Sequence, residues 1–226
     1  MAADPKQFWE ARLLNWEEGR YGQPDRPTGP LEWIANRSSM SLRYRIAITP
    51  ELLRPFLPGK RVVELGCGSG TLAGKVIEYG AAGYLGVDIA ENAIRMARAS
   101  HGGANPRIRF EVGAVADMTE ISGDIVVSLG LFDWLTDGEI ADVFGKSGTA
   151  HFLHAIAERR PGIQQLLHRS YVRLAYGRDS YRPRYFTWRH IQSLAARSGH
   201  TSLYAYRSWK LSFGALISSL PIGDEL

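Results

Sequence analysis

The chain has 226 residues, 45% of them hydrophobic and 22% charged, which is an ordinary globular composition and excludes wholesale disorder. Its 27 Lys and Arg residues against 23 Asp and Glu give a formal net charge of +4, and no block of like charge accompanies this mild excess, so nucleic-acid binding is not indicated. The single cysteine, Cys67, excludes an intrachain disulfide and a zinc site built from several thiolates.

The N-terminal region predicts two helices joined by a turn-rich linker. Apolar residues recur at near-helical spacing over 6–20, whereas 21–30 contain three prolines and two glycines. A second helix is expected over Ser38–Leu53, with Pro50 complicating its end. We therefore expect an N-terminal helical lid over 1–37 and a main domain over 38–226.

From residue 61 onward, strand and helix patterns alternate. Short β-favouring runs predict strands at Arg61–Leu65, Ala82–Asp88, Arg107–Val112, Asp124–Leu129, His151–Ala157, Leu203–Arg207 and Leu211–Ile217. Helical patterns follow several of them, at Thr71–Tyr79, Glu91–Ser100 and Thr187–Arg197. This alternation predicts an α/β fold, in which helices cover both faces of a mostly parallel sheet.

A glycine-rich turn directly follows the first predicted strand. Gly66, Gly68 and Gly70 let a ligand approach the backbone closely, and the helix that follows presents free N–H groups. Taken alone, this pattern fits a binding loop and a simple tight turn equally well. Because the dinucleotide fingerprint needs its third glycine where this chain has Thr71, a nicotinamide-dependent oxidoreductase is disfavoured.

Two acidic residues flank this turn in the sequence. Asp88 ends the second predicted strand, where a carboxylate can accept hydrogen bonds from both hydroxyls of a ribose. The alternative role of Asp88 is the N-cap of the next helix, and the two roles are compatible. Glu64 lies in the first strand, where a buried carboxylate is unfavourable unless it meets a donor or a cation.

The segments VVELGCGSG (62–70) and LGVDIAENAIRMAR (85–98) resemble motifs I and II of the class I S-adenosylmethionine-dependent methyltransferases. The segment DIVVSLGLFDWLTD (124–137) resembles the fourth-strand motif of the same family. The resemblance implies a Rossmann-like sheet of seven strands with the last strand antiparallel. It also implies S-adenosyl-L-methionine as cofactor and S-adenosyl-L-homocysteine as product.

The resemblance also implies roles for residues of the cofactor site. The loop glycines would wrap the methionine portion, Glu64 would help to hold its ammonium group, and Asp88 would hold the ribose. The full set implied by the motifs is Glu64, Gly66, Cys67, Gly68, Gly70, Asp88, Ile89, Ala114, Val115 and Leu129. Ala114 departs from the family, which often has an acidic residue there to meet the adenine amino group; Asp117 or a backbone carbonyl could take its place.

Candidate catalytic residues are expected at the ends of the fourth and fifth strands. A sulfonium methyl group is already electrophilic, so a general base matters for a hydroxyl acceptor and little for a carboxylate. The candidates are Asp133, His151 and His154, and either histidine could instead be a structural residue. No metal-ligand spacing is recognisable, although Asp133 with scattered histidines leaves a metal open.

Residues 159–186 predict an insertion after the fifth strand that caps the substrate. Its arginines and aromatics suit an anionic or planar acceptor, and they suit stacking on RNA bases or a solvated amphipathic cap equally well. Its placement resembles that of the cap in magnesium-protoporphyrin methyltransferases, and no substrate is inferred from this. Candidate substrate residues are Tyr21, Arg43, Tyr44, Trp134, Arg182 and Tyr185.

These observations favour a methyltransferase acting on an oxygen or nitrogen of a small, polar or anionic molecule. An RNA or protein methyltransferase is the alternative, although the Asn/Asp-Pro-Pro-Tyr motif of amino-group methylation is absent after the fourth strand. A non-catalytic cofactor-binding module is a further alternative. The sequence shows no signal peptide and no membrane-spanning run, so we expect a cytoplasmic protein with no membrane or nucleic-acid partner. The oligomeric state cannot be read from the sequence.

Overall fold

The computed structural model describes residues 4–11, 30–101, 103, 105–160, 165 and 183–225. The helices in these ranges are α1 (5–11), α2 (Pro30–Leu53), α3 (Ala73–Glu78), α4 (Glu91–His101), α5 (Asp137–Lys146) and α6 (Trp188–Ala196). The strands are β1 (Arg61–Leu65), β2 (Gly83–Asp88), β3 (Ile108–Val112), β4 (Ile125–Ser128), β5 (His151–Ala157), β6 (Tyr204–Tyr206), β7 (Gly214–Ser218) and β8 (Asp224–Glu225).

The strands form one sheet in the order β3-β2-β1-β4-β5-β7-β6-β8. Strands β1 to β5 pair in parallel, and β7 is antiparallel to both β5 and β6. The Rossmann-like, mostly parallel sheet with an antiparallel last strand is therefore confirmed, and the two-residue β8 adds a short edge. The carboxyl ends of β1 to β5 share one edge of the sheet, called the carboxyl edge below. The strand order reverses between β1 and β4, which is where open α/β sheets bind their ligands.

Two apolar layers cover the sheet, one on each face. On one face, Leu53 of α2, Val76 of α3 and Ile94 of α4 pack on alternate strand residues. On the other face, Phe144 of α5 and Ile191 of α6 pack on the intervening residues. The alternation follows from the two-residue period of a strand, which makes the interior strands apolar on both faces.

Most predicted elements agree with the structure to within two residues at each end, and three differences are larger. Helix α2 begins at Pro30, eight residues before the predicted start, because a proline is favoured in the first turn of a helix. Helix α5 was not predicted, although Thr136 and Glu139 form the capping box that marks such a helix. Strand β7 begins three residues late because Trp209–Leu211 form a 3-10 turn.

Several predictions fall on residues that the structure does not describe. Most of the linker over 21–30 and most of the cap over 159–186 lie outside the described residues, as do Tyr21 and Arg182. The division into an N-terminal lid and a main domain stays a prediction. No helix within the described ranges has the length and apolarity that a bilayer crossing requires.

Candidate cofactor and acceptor site

The glycine turn after β1 is held at the carboxyl edge by the neighbouring strand. Gly66, Gly68 and Gly70 all have left-handed φ angles, of 70°, 53° and 78°. The N–H groups of Gly66 and Cys67 donate to the Val87 carbonyl at 2.8 and 3.2 Å. At Gly70, a Cβ atom would come within 2.5 Å of the Phe110 ring. The turn therefore requires glycine for its backbone at all three positions and for packing at Gly70.

The Asp88 carboxylate ties this turn to the start of α4. Its Oδ2 accepts from the Gly68 N–H and its Oδ1 from the Ala90 N–H, each at 2.9 Å. Burial raises the pKa of Asp88, against the lowering effect of the hydrogen bonds from Ala90, Gly68 and Ile89. A carboxylate offers about four lone-pair positions, so Asp88 can still accept from a ligand that brings hydroxyl donors.

Beneath the turn, Glu64 has a partner that the sequence pattern did not indicate. The buried Tyr84 hydroxyl, on β2, donates to the Glu64 carboxylate. Burial and the nearby Glu64 carboxylate raise the pKa of Tyr84, which keeps the phenol protonated as a donor. The Cys67 side chain points inward, where a Cβ on Gly86 would lie 2.8 Å from its sulfur. Cys67 therefore offers a ligand its backbone.

The predicted adenine-side residues follow β2 and β3. Ile89 is partly buried next to Asp88, and Ala114 and Val115 begin a short 3-10 turn after β3. The Gly113 N–H donates to the Asp88 carbonyl at 2.9 Å, which fixes this turn beside the acidic residue. The Asp117 side chain is exposed.

After β4, Asp133 is positioned by the end of β5. Its Oδ1 accepts from the Ala157 N–H at 2.7 Å, and its backbone carbonyl accepts from the Arg184 N–H at 2.7 Å. Desolvation raises the pKa of Asp133 to about 6, against the opposing effects of the Ala157 hydrogen bond and the Arg45 charge. The Arg45 guanidinium, on α2, lies against the same loop, where a Cβ on Gly130 would be 3.2 Å from its Nη2.

A cluster of opposite charges lies at the end of β5. Glu158 accepts from Arg207 through both carboxylate oxygens, at 2.9 Å each, and from the Arg160 Nε at 2.8 Å. The Glu158 side chain is only 11% exposed, whereas those of Arg160 and Arg207 are 34% and 30% exposed. The hydrogen bonds from both guanidiniums lower the pKa of Glu158, although its burial has the largest effect and opposes them. The cluster carries one net positive charge.

Aromatic and cationic side chains extend the carboxyl edge beyond β5. The Tyr44 and Tyr206 hydroxyls share a hydrogen bond of 2.7 Å, and Lys210 Nζ lies 5.1 Å from the centre of the Tyr44 ring. Tyr185 contacts Phe213 at a ring distance of 5.9 Å. The structure thus brings the predicted Tyr44 and Tyr185 to the edge that holds Asp133.

Trp134 meets the N-terminal helix rather than open solvent. Its ring lies 4.9 Å from that of Trp9 and 5.6 Å from that of Phe8. Helix α1 therefore lies over the carboxyl edge between the ends of β2 and β4. The partly buried Arg43 is on the same stretch of α2 as Tyr44 and Arg45.

The positions of His151 and His154 argue against the predicted proton transfer. His151 begins β5, six residue steps or about 20 Å from the carboxyl end of that strand, and its Nδ1 lies 3.3 Å from Ser219 Oγ. His154 is fully buried, with its Nδ1 2.9 Å from Ser128 Oγ and its ring stacked 4.2 Å from Phe132. Burial and the nearby His200 lower the pKa of His154 to about 3. Neither imidazole reaches an acceptor at the carboxyl edge.

Because His154 is buried in its neutral form, we expect acid to lower the free energy of unfolding. Because the pKa of His154 falls from 6.5 to about 3 in the fold, the unfolded chain binds a proton that the folded chain does not, and stability falls with pH below 6.5. Asp133 acts in the opposite direction: its pKa is raised from 3.8 to about 6, so acidification through that window favours the fold.

We therefore expect the two effects to separate in His154→Leu. Urea unfolding of the variant and the wild type at several pH values should show the difference in unfolding free energy shifting in favour of the variant, by about 1.4 kcal/mol for each pH unit below 6.5. A constant difference between pH 7 and pH 4 would contradict the buried neutral state.

Sequence reasoning missed Arg45, Tyr206 and Arg207. Tyr206 and Arg207 could have been found by looking for functional residues at the carboxyl ends of parallel strands, as was done for the fourth and fifth strands. Strand β6 runs parallel to β5 and ends at the same edge. Arg45 carries no such signal, because helical spacing alone does not show which side of α2 faces the β4 loop.

Comparisons with known proteins agree with this architecture. Residues 62–158 match a family model described as a methyltransferase domain. Over 74 residues the chain is 38% identical to the ribosomal protein L11 methyltransferase of Yersinia pseudotuberculosis, a match of 32% of this chain and 25% of that protein. Over 86 residues it is 36% identical to the ubiquinone biosynthesis O-methyltransferase of Neisseria meningitidis, a match of 36% of each. The chain thus spans only about a quarter to a third of the length of these relatives.

Solved structures share the fold over more of the chain. Magnesium protoporphyrin IX methyltransferase from Synechocystis PCC 6803, with bound SAH, superposes with a TM-score of 0.70 over 94% of this chain and 96% of that one, at 15% identity. An S-adenosylmethionine-dependent methyltransferase from Mesorhizobium loti gives a TM-score of 0.55 over 80% and 96%, at 22% identity.

Proposed function

We propose that this chain is a class I S-adenosylmethionine-dependent methyltransferase that methylates an oxygen or nitrogen of a small, polar or anionic molecule; the methyltransferase-domain match over residues 62–158 and the shared fold support this. One observation carries the choice of acceptor. Among the described residues, cationic side chains outnumber carboxylates at the carboxyl edge beyond β4, where Arg45, Arg160, Arg207 and Lys210 lie with Asp133 and Glu158. A surplus of cationic side chains suits an anionic acceptor, because guanidinium and ammonium groups pair with carboxylates and phosphates.

The residues around the glycine turn fit the cofactor. The turn has no side chains at its three glycines, and Asp88 has acceptor positions left for ribose hydroxyls. We assign Gly66, Gly68 and Gly70 to the methionine portion, with Glu64 supplying negative charge beneath the turn for its ammonium group. Ile89, Ala114 and Val115 would flank the adenine, and Leu129 would close the β4 side. When bound, S-adenosyl-L-methionine supplies an electrophilic sulfonium methyl group.

We assign binding of the methyl acceptor to side chains at the carboxyl ends of β4, β5 and β6. Arg160 and Arg207, held in place by Glu158, would attract an anionic group, and Tyr44 and Trp134 would line the acceptor. Asp133, whose pKa is about 6, would take the proton if the acceptor is a hydroxyl. Orientation and exclusion of water then supply most of the catalysis.

The substrate class can be tested with cofactor carrying a labelled methyl group. We expect the purified protein to transfer label into a deproteinised metabolite extract, and into no component of total RNA or total protein offered in parallel. Passing the extract over an anion-exchange resin before the reaction should remove the acceptor, because the proposed acceptor is anionic. Label in RNA or protein would contradict the proposal and favour the macromolecular alternative.

A further inference from the structure

We infer that Glu10, carried by α1, is a second carboxylate of the nucleoside site, accepting a hydrogen bond from a ribose hydroxyl of the S-adenosyl cofactor beside Asp88. This inference rests on the cofactor assignment and is independent of the acceptor class. In this inference, α1 lines the cofactor site.

Helix α1 lies across the glycine turn. It contacts α4, which follows β2, and Trp134, which follows β4, and these two strands flank β1 in the sheet. The side chains of Phe8, Trp9 and Glu10 thus contact both flanks of the cradle.

The attachment to α4 begins directly after Asp88. Glu10 Oε1 accepts from the Asn92 N–H at 3.1 Å, and the Glu10 carbonyl accepts from Asn92 Nδ2 at 2.6 Å. Trp9 packs on Ala90 and on Ala93, which are both fully buried. Glu10 is close enough to Asp88 for its charge to contribute to the raised pKa of that carboxyl group.

Two buried acceptors remain at this attachment. Glu10 Oε2 and Asn92 Oδ1 are both inaccessible to solvent and have no hydrogen-bond partner among the residues that the structure describes. A buried acceptor without a donor is unfavourable by about 1–3 kcal/mol, so two in one place indicate a ligand that supplies donors. A ribose supplies two vicinal hydroxyl donors, one for Glu10 Oε2 and one for Asp88, which ends β2 four residues before Asn92.

Adenosine and 2′,3′-dideoxyadenosine, which lacks both ribose hydroxyls, are the probes that test this assignment. Calorimetry of the full chain should show that the wild type prefers adenosine, and that Glu10→Ala reduces this preference about tenfold. Lys6→Gln is the matched control on the same helix: its ion pair with Glu91 has side chains 48% and 62% exposed, so the preference should stay within about twofold. Thermal unfolding without ligand confirms that both variants are folded.

Three other outcomes of this titration would contradict the role of Glu10 or the cofactor assignment. If Glu10→Ala weakens both nucleosides equally, Glu10 only tethers α1 and the inference is wrong. If Glu10→Ala tightens binding, α1 is a plug and the inference is also wrong. If the wild type binds neither adenosine nor S-adenosyl-L-homocysteine, the cofactor assignment itself fails.

Discussion

Replacement of Asp88 by alanine should weaken binding of S-adenosyl-L-homocysteine about 10- to 100-fold, as expected for the loss of charge-assisted hydrogen bonds. The carboxylate holds the Gly68 and Ala90 N–H groups, so its removal loosens the turn as well as removing the proposed ribose acceptor. Calorimetric titration of the variant and the wild type measures the change.

Two comparisons make the Asp88 result specific. Asp142→Ala removes an exposed carboxylate on α5 and should leave the affinity unchanged. Because burial raises the pKa of Asp88, acidification should also weaken cofactor binding to the wild type at a higher pH than an ordinary aspartate would allow. Equal affinity of Asp88→Ala and wild type would remove the ribose assignment.

Replacement of Gly70 by alanine should have the largest effect on folding. Its φ of 78° costs an alanine about 1–2 kcal/mol, and the overlap of the new Cβ with the Phe110 ring at 2.5 Å adds about 1–3 kcal/mol. We expect a loss of about 2–5 kcal/mol in the free energy of unfolding by urea. Cofactor affinity should fall as well, since the turn must move.

Gly59→Ala separates the two contributions to this loss. Gly59 has a similar φ of 73°, and no atom of the described residues lies within 4 Å of the position that its Cβ would take, so its variant measures backbone strain alone. The double variant Gly70→Ala with Phe110→Leu should be less destabilised than the sum of the two single variants, because the smaller side chain relieves the overlap. Equal losses for Gly59→Ala and Gly70→Ala would show that Phe110 does not constrain the turn.

The sequence predicted the sheet well because its signals are local. The runs that form β1 and β5 have the predicted bounds, and the glycine turn with Asp88 lies where the motif implies. Helix α6 begins directly after Thr187, within the predicted range, and Thr187 Oγ1 accepts from the His190 N–H at 3.3 Å.

The acceptor side was less predictable because it depends on tertiary neighbours. His154 follows the same strand pattern as a candidate base, yet its direction on β5 places it between Phe132 and Phe152 under α5 and α6. No local signal distinguishes the two faces of a strand that is buried on both sides. The pairing of Glu10 with Asn92, 82 positions apart, has no local signal either.

We propose that the turn over 66–70 and Asp88 together form the site for an S-adenosyl nucleoside. Calorimetric titration of the wild-type chain with S-adenosyl-L-homocysteine, and in parallel with NAD, tests it most directly. We expect saturable binding of S-adenosyl-L-homocysteine with one site per chain and no detectable heat of binding with NAD. Absence of S-adenosyl-L-homocysteine binding, or a preference for NAD, would contradict it.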